Sequence, residues 1–153
     1  KRILGMASEV IIREIDFFFF VEQPNVDGGD RAGFPSPGQD YLEQTLDLNR
    51  RLVTHPESTF FANVVGDSMI DVGIEEGDLL VIDRSIEPRD GHIVVAFLDG
   101  EFTLKFIRLD KQNPNHLYLV PANSEYPEIL VTSEQQFVVW GVVTYSIKNR
   151  LKR

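Results

Sequence analysis

From residue 59 onward, short apolar runs are punctuated by polar, turn-forming stretches. The runs TFFANVV (59–65), DLLVID (78–83), HIVVAFL (92–98), EFTLKFIRL (101–109), HLYLV (116–120), EILV (128–131) and QFVVWGVVTYS (136–146) have the length and the β-branched or aromatic content of strands. Turn-forming stretches separate them: GIEEGD (73–78), DRSIEPRDG (83–91), LDGE (98–101) and DKQNPN (110–115). Asp99-Gly100, set between two strand runs, is a strong hairpin signal. Many short strands with tight turns predict a mostly-β domain, a small closed or half-closed barrel.

The first forty residues follow a different pattern. EVIIREIDFFFFVE (9–22) suits either a strand or a short helix, and periodicity does not choose between them. QPNVDGGDRAGFPSPGQD (23–40) holds three prolines and four glycines in 18 residues and reads as an exposed, extensible linker. DYLEQTLDLNRRLVTHP (40–56) carries the one good helix signal. Asp40 and Glu43 form a capping box, Leu42, Leu46, Asn49 and Val53 keep helical spacing, and His55-Pro56 ends it. The expected organisation is an N-terminal arm and linker over residues 1–39, followed by a β domain with one peripheral helix over 40–153.

Composition narrows the chemistry. The 153 residues are 42% hydrophobic and 25% charged, enough for one domain with a real core. There is no cysteine, so disulfides, thiol nucleophiles and thiolate metal sites are excluded. His55, His92 and His116 are far apart and have no ligand-like neighbours, so neither a metal nor a cofactor is expected. The longest apolar run, FFFFV (17–21), is far short of a membrane span, and a cytoplasmic location without membrane association is expected. A net charge of −9 repels polyanions and disfavours direct nucleic-acid binding.

Two residues raise a catalytic question. In VVGDSMID (64–71), Gly66 breaks a strand and leaves Asp67 and Ser68 in the break. A turn serine is ordinarily occupied with nearby backbone groups. In EFTLKFIRL, alternation puts Phe102, Leu104 and Phe106 on one face and Glu101, Thr103, Lys105 and Ile107 on the other. Strand statistics make Lys105 an exposed lysine. A lysine held between apolar neighbours is nevertheless what a Ser-Lys dyad needs, because desolvation favours the neutral amine that can deprotonate a serine. Physics permits the pairing without singling out this lysine.

Three segments resemble the LexA/UmuD family of self-cleaving Ser-Lys peptidases. AGFPSPGQDYLEQTLDLN (32–49) is similar to the family's cleavage site and following helix. GDSMIDVGIEEGDLLVID (66–83) is similar to its nucleophile segment, and DGEFTLKFIRL (99–109) to the strand with its general-base lysine. PANSEYPEI (121–129) and WGVVTYSIK (140–148) fit its C-terminal strands, and the 37-residue separation of Ser68 and Lys105 is the one the family uses. The resemblance implies a small peptidase β-barrel or half-barrel with Ser68 as nucleophile and Lys105 as general base. The backbone N–H groups of Asp67 and Ser68 would form the oxyanion hole, and Met69 would pack beside the site. The substrate would be the protein's own arm, cut between Ala32 and Gly33 to leave a product of 121 residues. Gly28-Gly29 is the competing scissile region.

The resemblance also implies a role in the SOS response. A RecA filament on single-stranded DNA would stimulate self-cleavage, and the trimmed homodimer would join the catalytic subunit of a Y-family polymerase for translesion synthesis. A LexA- or phage-type repressor needs a helix-turn-helix ahead of the cleavage site, and the residues before Gly33 show no such pattern. A signal peptidase needs a membrane anchor. A non-catalytic β-rich binding module stands as the alternative outside enzymology.

Overall fold

The computed structural model describes residues 46–151 and, as backbone only, the strand residues 11–12 and 15–20. All seven expected strands form: β3 (Thr59–Val64), β4 (Leu79–Asp83), β5 (Ile93–Leu98), β6 (Glu101–Leu109), β7 (Leu117–Val120), β8 (Ile129–Val131) and β9 (Phe137–Ile147). Within 9–22 the strand alternative is the one adopted, as β1 (Ile11–Ile12) and β2 (Ile15–Phe20). Every pairing is antiparallel, and the described strands form one sheet in the order β1-β2-β3-β4-β9-β5-β6-β7-β8. The sheet is unclosed, with β1 and β8 at its two edges, so the half-closed alternative holds and the closed barrel does not.

Of the expected helix only residues 46–56 are described, and little of that stretch is helical. Helix α1 spans Leu48–Leu52, and Asp47 caps it by accepting from the N–H groups of Asn49 and Arg50 at 3.1 and 3.4 Å. Leu46 lies ahead of the helix instead of inside it, and Leu46 and Leu48 are both exposed. Five residues without a buried face gain little from tertiary packing, which supplies most helical stability in proteins. Asp40, Glu43, the Ala32-Gly33 bond and the arm–domain boundary at 39/40 fall outside the described residues.

Both faces of the sheet are covered. One buries Ala62, Leu80, Ile82, Val95, Phe102, Leu104 and Trp140, joined by Met69 and Ile74 from the segment after β3. Phe60 and Phe102 meet Trp140 edge-on, at centroid distances of 4.9 and 6.0 Å, each pair worth about 1 kcal/mol beyond its area. The other face buries Val94, Ala96, Ile107, Leu119, Val131 and Val142. Strand β6 contributes to both clusters, so its middle has no solvent-facing side.

The β5–β6 hairpin turns as the sequence predicts. Asp99 and Gly100 both take positive φ (48° and 93°), and Leu98 pairs with Glu101 across the two-residue loop. That turn fixes the register that sets Val94 opposite Lys105.

Candidate active site

Strand β3 ends at Val64, and the chain leaves the sheet through Gly66, whose φ of 98° favours glycine strongly over any other residue. Ser68 follows and is only 5% exposed. Met69 beside it is fully buried in the first core cluster, the packing role expected of it. A 3-10 turn at Ile70–Val72 closes on Gly73 (φ 82°), and Gly77 (φ 93°) brings the chain back toward β4. Ser68 therefore rides on a turn anchored by a buried side chain on one flank and by glycine geometry on both.

Lys105 is 4% exposed, which overturns the reading from strand statistics. The statistics fail because they presume one wet face, whereas β6 runs between two packed clusters. A lysine there must find polar partners. Its Nζ donates to Thr103 Oγ1 at 2.6 Å and to Ser68 Oγ at 3.5 Å. The Ser68 hydroxyl in turn donates to the Leu104 carbonyl at 3.3 Å. Two buried polar groups 37 residues apart in the chain thus meet side by side. In this resting arrangement the hydroxyl proton points at a carbonyl; turning it toward Nζ would let a neutral amine receive it.

Thr103 is a third member that the reading of the residues left without a role. Its signal was present: residues i and i+2 of a strand share a face, and Thr103 and Lys105 had been placed on the same one. A cleft of about 280 Å³ opens beside these groups, with Thr103, Lys105, Tyr126, Pro127 and Ile129 in its walls. A roomier cavity of about 610 Å³, around Asp90, Asp110 and His116, contains neither Ser68 nor Lys105. Size is a poor guide here: of these two, the smaller cleft is the one that Lys105 lines, and Ser68 is in the wall of neither.

Among the described residues, no acceptor engages the N–H groups of Asp67 or Ser68. A second polar cluster lies near the start of β3, the end away from Ser68. His55 Nδ1 lies 2.7 Å from Asp83 Oδ2, and Asp83 Oδ1 accepts from Ser58 Oγ, Ser85 N and Ser85 Oγ. The hydrogen bond and charge of Asp83 raise the His55 pKa. Burial opposes ionisation of Asp83, but the hydrogen bonds from His55 and Ser85 outweigh it and leave that carboxyl below its ordinary value. Because Asp83 and Ser85 both engage Nδ1, no serine in this cluster sits on the opposite ring nitrogen, as a catalytic triad requires. The cluster ties the segment after α1 to the end of β4. No helix among the described residues is long and apolar enough to cross a membrane.

Comparison with known proteins points to one group. A family described as Peptidase S24-like matches residues 25–144. Protein SamA of Salmonella typhimurium is 42% identical over 113 residues, covering 74% of this chain and 76% of that one. Protein MucA of Escherichia coli is 44% identical over 117 residues, covering 76% and 77%. The LexA repressor of Delftia acidovorans is 37% identical over 121 residues, covering 78% of this chain and 52% of the repressor.

Proposed function

This chain belongs to the Peptidase S24-like family, and on that premise we propose that it is a self-cleaving serine peptidase of SOS mutagenesis, with Ser68 as nucleophile and Lys105 as general base. The observation that carries the reading is the approach of two buried side chains, Ser68 Oγ and Lys105 Nζ, to 3.5 Å. In the reaction, Ser68 Oγ attacks the Ala32 carbonyl carbon while its proton passes to neutral Lys105 Nζ. The oxyanion is held by the N–H groups of Asp67 and Ser68. Collapse of the tetrahedral species breaks the bond to Gly33, and the departing amine takes the proton from Lys105. The Ala32–Ser68 ester is then hydrolysed by water, which loses a proton to Lys105. Lys105 returns it to Ser68, and the Ala32 carboxylate departs.

Chain geometry is compatible with this substrate. Phe20 pairs with Phe60, at the end of β3 away from Ser68. Ala32 lies twelve positions after Phe20, a reach of about 40 Å, against about 13 Å of strand from Phe60 to Val64. The bond can therefore approach Ser68 while β2 stays paired. Cutting there ends the covalent link of β1 and β2 to the product, and their release would make β3 an edge strand and alter the surface offered to partners. Those partners, on this reading, are a second copy of the chain and the catalytic subunit of a Y-family polymerase. A RecA filament would stimulate the cut by favouring the docked arm.

The test is incubation of the purified full chain at mildly alkaline pH, with mass spectrometry of the product. A new N-terminus at GFPSPGQDY, absent from Ser68→Ala, is expected. A start at Gly29 would reassign the bond, and an intact chain at every pH would favour the non-catalytic binding module.

A further inference from the structure

The loop between β7 and β8, PANSEYP (121–127), touches the Ser68 turn at four points. Ala122 N–H donates to the Ser68 carbonyl at 2.8 Å, and Asp71 N–H donates to the Ala122 carbonyl at 2.8 Å. Asn123 Nδ2 donates to the Asp67 carbonyl at 2.8 Å. The Tyr126 hydroxyl donates to Asp67 Oδ1 at 2.5 Å. The loop is itself braced: Glu125 N–H donates to Asn123 Oδ1 at 2.8 Å, and Tyr126 N–H to the Asn123 carbonyl at 3.1 Å. Asn123 thus uses its side-chain oxygen to shape the loop and its amide to reach across.

We propose that Asn123 and Tyr126 are positioning residues for the cleavage reaction, aiming the Ser68 N–H and restraining the Asp67 carboxylate; this rests on the reading of Ser68 as nucleophile. The carbonyl of Asp67 and the N–H of Ser68 belong to one planar, trans peptide unit and point in opposite directions. Holding the carbonyl from the loop side fixes the direction of the N–H on the other side, where the oxyanion forms. Such a donor stabilises a transition state only if its orientation is set beforehand. The Asp67 carboxylate poses an opposite problem. A negative charge one residue from the nucleophile opposes the negative charge developing on the substrate oxygen. The Tyr126 hydroxyl binds that carboxylate against the loop. Neither residue touches the reacting atoms; both act through Asp67.

Tyr126 also lines the cleft, so a role in gripping the arm is the rival explanation. A small fluorophosphonate separates the two because it has no arm to dock. Ser68 Oγ bonds to phosphorus, fluoride leaves, the hydroxyl proton passes to Lys105, and the phosphoryl oxygen takes the oxyanion's place. The measurements, on the full chain, are the first-order rate of self-cleavage, the second-order rate of Ser68 phosphonylation and the melting temperature. For Tyr126→Phe, both rates are expected to fall together, by about three- to tenfold, with melting nearly unchanged. For Asn123→Ala, the fall is expected to be about tenfold or more. In an Asp67→Ala background, Tyr126→Phe should change neither rate further, because its target is gone. Slowed self-cleavage with phosphonylation at the unaltered rate would overturn the proposal in favour of arm binding, as would two unchanged rates. Should Asn123→Ala fail to fold, Tyr126→Phe, which removes one exposed hydroxyl, still decides. If the unaltered chain is never phosphonylated at Ser68, the nucleophile assignment fails and the positioning role goes with it. That outcome is distinct from a labelled chain indifferent to the loop.

Discussion

Lys105 Nζ contacts the Thr103 hydroxyl at 2.6 Å, a much shorter distance than its 3.5 Å to Ser68. The threonine therefore fixes where the amine sits, and the serine is reached from that fixed point. Thr103→Val keeps the shape and removes the hydroxyl. Self-cleavage is expected to slow about tenfold, since a misplaced general base forfeits much of the 10²–10⁴-fold contribution of acid–base catalysis. Thr103→Ser should recover most of the rate. Timed gel densitometry of the full chain measures both, and a Thr103→Val rate equal to that of the unaltered chain would remove the threonine from the mechanism.

A second prediction tests the proposed role of Lys105 as the base, which must be able to take up a proton from Ser68. Lys105→Arg should be inactive at every accessible pH, because guanidinium stays protonated in proteins. A pH series with the two chains in parallel checks this; robust cleavage by the arginine variant would refute Lys105 as the base.

His55 and Asp83 predict a stability window. The His55 pKa is raised by Asp83, so the stability it contributes is complete below its unfolded value of about 6.5 and is lost as pH rises through the folded one. The Asp83 value is lowered, so its contribution is present above about 4 and is lost as pH falls through its folded value. Glu57 is the further charge that acts on His55, in the same direction as Asp83. The gap in Tm between the unaltered chain and His55→Gln should be widest between about pH 4 and 6.5 and should shrink by pH 8.5. Thermal melts across that range test it, and a gap that grew with pH would contradict the pairing.

Gly141 predicts a packing effect. A Cβ there would lie 2.5 Å from Ile82 Cγ2, across the β4–β9 pairing. Gly141→Ala must displace Ile82 in the core or part the strands, at a cost of about 1–3 kcal/mol. Urea titration measures it, and an Ile82→Val, Gly141→Ala pair should recover part of the loss.

Sequence alone carried the strands well, since alternation and turn residues are local signals and β3 to β9 each follow one. Sheet order was beyond it, because nothing in PANSEYP or WGVVTYS states which strand lies beside which. Over the described part of the expected helix the spacing of Leu46, Asn49 and Val53 misleads: Leu46 precedes the Asp47 cap and Val53 follows the last helical residue, Leu52. Burial of Lys105 was invisible to periodicity: EFTLKFIRL alternates and sets Lys105 on its polar face, and nothing local says that this face is covered as well. Asn123 and Tyr126 were quoted as part of a similar segment without a role, since their contacts with Asp67 cross 56 and 59 residues through a loop that has no period to read.

The position of β9 has a bearing on timing during synthesis. It lies between β4, which follows Ser68, and the β5–β6 hairpin, which carries Lys105. A growing chain makes both reactive residues long before it makes residues 137–147, yet until then the two halves of the sheet have no strand to join them. A ribosome-bound chain that stops short of β9 has Ser68 and Lys105 on two pieces of sheet joined only by the contacts of the Ser68 turn with Leu104 and the β7–β8 loop, and contacts of such long sequence separation are slow to form. On the proposed reading of Ser68 and Lys105, the order of strands thus delays the completed site until the last strand slots into the middle of the sheet.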